Sequence, residues 1–126
     1  MPVIRRLRHQ LGIILPSLDR HGQRLSAKTR RVIREAVADW FGRAFTGGTE
    51  DRTQMRARLR GRWGTGVGVT VEEVEEVWAY CTAADIRKHK PDLVRLAERV
   101  AHDGDQEAVA ILVDIGMELV VRKETS

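Results

Sequence analysis

Val32, Ile33, Ala36, Val37, Trp40, Phe41, Ala44 and Phe45 recur at intervals of three and four residues, so an α-helix gathers them into one stripe. Arg30, Arg31, Arg34, Glu35, Asp39 and Arg43 fall on the other side. Ser26 or Thr29 is placed to cap the start of this helix and Gly47 its end. A stripe with a tryptophan and two phenylalanines draws its stability from packing, because an isolated helix of this length is marginal in water. The rest of the chain must supply the sheet on which it lies.

The flanking segments read as strands. Val3 to Leu15 is apolar and β-branched and stops at Pro16, after which Asp19 and Gly22 supply turn chemistry in PSLDRHGQRLS. In QMRARLRGRWG, residues 54–64, arginine stands at every second position: Arg56, Arg58, Arg60 and Arg62. That period of two is the pattern of a half-buried strand. GTGVGVT follows as a glycine-rich connection. VEEVEEVWAYC then fits two patterns. Val71, Val74, Trp78 and Cys81 suit a helix with a Thr70–Glu73 capping box, whereas Val77, Ala79 and Cys81 suit one face of a strand. Pro91 stands as the first helical residue of PDLVRLAERVA, whose Leu93, Leu96, Ala97 and Val100 share a face. EAVAILVDIGMELVVR reads as a hairpin that turns through Asp114 to Gly116. No repeat or linker interrupts the chain, so residues 1–126 form one domain, a length sufficient for one core.

Composition narrows the setting. The single cysteine, Cys81, excludes an internal disulfide and fits a reducing cytosol. No apolar run approaches the roughly 18 residues of a membrane helix, and the N-terminal apolar stretch is too short for a signal peptide. A cytoplasmic protein with no membrane partner is expected. Charge is uneven: the first 63 residues hold fifteen basic and five acidic side chains, the remainder seven and thirteen. Such asymmetry implies an anionic partner for the first half, or neutralisation of one half by the other.

The chain also resembles a group of small bacterial α+β proteins with a recurring layout. Their Pro-Ser/Thr-x-Asp-x-x-Gly turn is seen here as Pro16, Ser17, Asp19 and Gly22, and their Phe-Gly-Gly-x-Thr stretch is echoed by Phe45, Thr46, Gly47, Gly48 and Thr49. Gly61, Arg62 and Trp63 match a Gly-x-Trp, and Glu76 to Tyr80 match a Glu-led strand ending in tyrosine. Asp105 to Val109 match Asn-Gln-Glu-Ala-Val, with aspartate in place of asparagine. The resemblance spans most of residues 10–121, implies a fold rather than an activity, and tips residues 74–81 toward strand. The implied order is βαββαβ plus a terminal strand: an antiparallel sheet with two helices on one face, the ferredoxin-like split βαβ arrangement. Strands two and three would then form a hairpin around Val67, with Glu72, Glu73, Glu75 and Glu76 across from the arginines. Facing opposite charges contribute roughly 0.2–1 kcal/mol each.

Catalytic patterns are absent from the sequence. His9, His21, His89 and His102 are scattered, with no His-x-x-x-His or Cys-x-x-Cys pair for a metal. Ser17, Asp19 and His21 crowd into a turn, whereas triad members come from distant segments. Asp103, Asp105 and Glu107 lack the remaining ligands of a calcium loop, and Cys81 reads as a buried small hydrophobe. The reading is a non-enzymatic module without cofactor or metal, acting through protein partners or self-association, with Trp63, Trp78 and Tyr80 as interface residues. The alternative is a nucleic-acid-binding accessory protein using Arg30, Arg34, Arg56, Arg58, Arg60 and Arg62. A small hydrolase or nuclease stands third.

Overall fold

A computed structural model describes residues 7–47, 50–51, 53–65 and 68–123, and only the backbone of 46–47, 50–51, 53–65 and 68–73. In chain order the elements are β1 (His9–Leu15), α1 (Ala27–Phe45), β2 (Thr46–Gly47), β3 (Glu50–Asp51), β4 (Thr53–Thr65), β5 (Gly68–Cys81), α2 (Ala83–Asp103), β6 (Ala108–Val113) and β7 (Gly116–Val121). Five strands form one antiparallel sheet in the order β4-β5-β1-β6-β7, while β2 and β3 pair as a separate ribbon. β5 lies between β1 and β4, so the β1–α1–β4 unit is split by the strand that follows it. This is the ferredoxin-like α+β fold with an added edge strand.

Strand alternation divides the sheet into two faces. Leu11 pairs with Ala79 and Ile13 with both Val77 and Ile111, and all five are fully buried on one face. Ile33, Val37, Phe41 and Phe45 of α1 and Leu93, Leu96, Ala97 and Val100 of α2 close over them. Each large side chain buried there contributes about 1.5–3 kcal/mol. The α1 stripe is narrower than its sequence pattern. Trp40 is half-buried at its margin, edge-on to Phe41 at 5.0 Å, and Val32 is 41% exposed.

Three boundaries differ from the sequence-based expectation. The first strand begins at His9; Val3 to Arg6 lie outside the described residues. α2 begins at Ala83, eight residues before Pro91, which sits inside the helix. Its start is fixed by a capping box in which Asp85 N–H donates to Thr82 Oγ1 at 3.1 Å and Thr82 N–H to Asp85 Oδ2 at 3.0 Å. Ile86 then packs against the core, so the first two turns are anchored without the backbone donor that proline removes. In the β6–β7 hairpin the left-handed residue is Asp114, at φ 58°, rather than Gly116. Aspartate is among the few non-glycine residues that tolerate that region. Residues 74–81 are strand, with Glu75 to Cys81 paired with β1. β4 and β5 do form a hairpin, from Thr65 opposite Gly68; Val67 lies outside the described residues.

Candidate active site on the outer sheet face

The face away from the helices carries Gln10, Gly12 and Ile14 from β1, Glu76, Trp78 and Tyr80 from β5, and Leu112 from β6. Gly12 is the centre of this array, opposite Trp78 on one side and Leu112 on the other. A Cβ at position 12 would lie 2.8 Å from Trp78 Cβ and 2.9 Å from the Val77 carbonyl oxygen, so only glycine fits there. With no side chain at that point, the middle strand presents bare backbone between polar and apolar neighbours.

Beside it opens a cleft of about 300 Å³, lined by Arg8, Gln10, Glu76, Leu112, Asp114 and Ile115. This is the lower end of the range for small-molecule sites, and its mixture of apolar walls with a few polar groups is typical of them. Asp114 is tied to β1: its N–H donates to the Gln10 carbonyl at 2.7 Å. Its Oδ2 lies 3.2 Å from His9 Nδ1, without hydrogen-bond alignment. Among the described residues, Arg8 and Glu76 form no ion pair. On the same strand as Glu76, Trp78 and Tyr80 pack edge to face at 4.7 Å, and Tyr80 is 45% exposed. The cleft therefore combines a guanidinium, two carboxylates, an amide and an adjoining aromatic pair. No group of three histidine, cysteine, aspartate or glutamate side chains among the described residues is placed to hold a metal ion.

The residues singled out in the sequence are distributed over both faces. Trp78 and Tyr80 come together on the outer face. Arg34, on α1, lies across the sheet from them and donates to the Glu75 carboxylate, with Nε–Oε2 at 3.0 Å. This hydrogen bond, reinforced by the carboxylate charge against partial burial, raises the pKa of Arg34. Arg30 borders the same helix-side crevice, which is about 10 Å³, room for a single water. Arg56 is opposite Glu76 and Arg60 opposite Glu73 in register. The pairing shifts between Arg56 and Leu59, where three steps along β4 match two along β5, so the arginine series does not keep one register. Side chains of Arg56, Arg58, Arg60, Arg62 and Trp63 lie outside the described residues. Arg8, Gln10, Leu112 and Asp114 were not apparent as site residues. Gly12 was the available signal, since a lone glycine inside a strand pattern marks close backbone approach.

The fold and its cleft define an α+β protein with a charged cleft on the outer face of its sheet. No protein-family model matches the chain, and no curated protein matches it in sequence. Two solved structures share its fold. One is a phage SAM lyase in complex with S-methyl-5'-thioadenosine, with TM-score 0.62 and 11% identity over 99% of this chain and 100% of that one. The other is a phage SAM lyase in the apo state, with TM-score 0.59 and 14% identity over the same shares. This likeness overturns the expectation of a non-enzymatic binding module, since both matched structures are of a SAM lyase. No helix among the described residues is long and apolar enough to cross a membrane.

Proposed function

We propose that this protein is an enzyme that binds an adenosyl sulfonium compound such as S-adenosylmethionine in the outer-face cleft and cleaves one of its carbon–sulfur bonds. The observation that carries the reading is the likeness to a SAM lyase over the full length of both chains. The chemistry of the cleft supports it. A sulfonium is a cation that needs a counter-charge to leave water, and Glu76 supplies one beside Gln10 and Leu112. The Trp78–Tyr80 pair on the same strand provides aromatic surface against which an adenine stacks and a cation is attracted.

Cleavage breaks the sulfonium's bond to the amino-acid side-chain carbon: the neutral thioether leaves with the bonding electron pair, and an oxygen of the substrate's own carboxylate forms the new bond to that carbon, so no co-reactant is required. Glu76 thus attracts the substrate more strongly than the thioether product, which favours release. Incubating the protein with S-adenosylmethionine and separating the products by chromatography should show S-methyl-5'-thioadenosine accumulating with enzyme concentration. Glu76→Gln should lower kcat/KM roughly tenfold or more, the effect of losing one charged partner. Absence of any thioether product would refute the proposal.

A further inference from the structure

Resting on that reading, the geometry points to recognition of the substrate's amino-acid arm by Arg8 and Asp114, so that the cleft selects a zwitterionic sulfonium over its neutral thioether fragment. The cleft holds one guanidinium and two carboxylates. S-adenosylmethionine carries the complementary set: one carboxylate, one ammonium and one sulfonium. Glu76 on β5 takes the sulfonium, leaving a cation and an anion for the two ends of the amino acid.

Arg8 and Asp114 sit together at one end of the sheet. Arg8 immediately precedes β1 and Asp114 immediately follows β6, and the Asp114 N–H to Gln10 carbonyl bond of 2.7 Å ties the two segments side by side. Glu76 is farther along, in register with Ile14 near the other end of β1. The charges are therefore ordered along the cleft with the amino-acid partners at one end and the sulfonium partner at the other. A guanidinium binds a carboxylate through two parallel N–H donors, and a carboxylate accepts from an ammonium.

Calorimetric titration with two stable probes separates this assignment from the reading beneath it. S-adenosylhomocysteine has the amino-acid arm and no sulfonium charge; S-methyl-5'-thioadenosine has neither. The full chain should bind S-adenosylhomocysteine more tightly, and Arg8→Gln or Asp114→Asn should weaken it on the order of tenfold while leaving S-methyl-5'-thioadenosine unchanged. Circular dichroism should show both variants folded, and a variant that loses affinity for both probes together counts against the assignment. Equal affinity for the two probes, or variants without effect on S-adenosylhomocysteine, would overturn the role of Arg8 and Asp114 while the proposed activity stands. Failure of the unaltered protein to bind either probe would overturn both.

Discussion

The two faces of the sheet are built from the same three central strands, residue by residue in alternation, yet they hold opposite kinds of chemistry. On the helix side Leu11, Ile13, Val77, Ala79 and Ile111 are completely buried beneath α1 and α2. On the outer side their immediate neighbours are Gln10, Gly12, Glu76, Trp78 and Leu112, of which Gln10, Glu76 and Leu112 line a charged cleft. One face spends its side chains on stability, and the other leaves polar groups in reach of a ligand. Function can therefore change on the outer face without disturbing the core, and the reverse should fail.

Changes that break this comparison rank by the contacts they remove. Phe41→Ala, beneath the helices, should destabilise the fold by about 3–5 kcal/mol, read from denaturant unfolding. Gly12→Val is the most severe change on the outer face. Its Cβ would meet Trp78 Cβ and the Val77 carbonyl, so about 1–3 kcal/mol of overpacking strain is expected, together with loss of ligand binding. Thr82→Ala should cost about 1 kcal/mol by removing the cap of α2, with affinity for S-methyl-5'-thioadenosine unchanged. Smallest is Arg34→Gln, which breaks the partly exposed pair with Glu75. Roughly 0.2–1 kcal/mol is expected, vanishing at high salt.

The helix-covered face was legible in the sequence where its signals are local. The period of α1 follows from adjacent residues, whereas the segment of Val77, Ala79 and Cys81 fits strand and helix alike, and only the resemblance tips it to strand. The start of α2 was not, because Ala83 to Lys90 contain one apolar side chain that reaches the core, Ile86, and the proline drew the boundary inward. The arginine series drew notice by its regularity, but a shift of register within β4 is invisible to a pattern of fixed period. The cleft was hidden for a different reason. Arg8, Glu76 and Asp114 are far apart in the chain and meet only because β5 and β6 both pair with β1. Gly12 alone carried a local trace of it.

The central claim is that the outer face, and not the helix side, receives an adenosyl ligand. Its most direct test is a titration of the labelled protein with S-methyl-5'-thioadenosine followed by amide and indole NMR shifts. The expected result is saturable movement of Gln10, Gly12, Glu76, Trp78 and Leu112, with Ile33 and Val37 of α1 unmoved. Shifts confined to α1 or to the crevice between Ser17 and Arg34, or no shift at millimolar ligand, would contradict it.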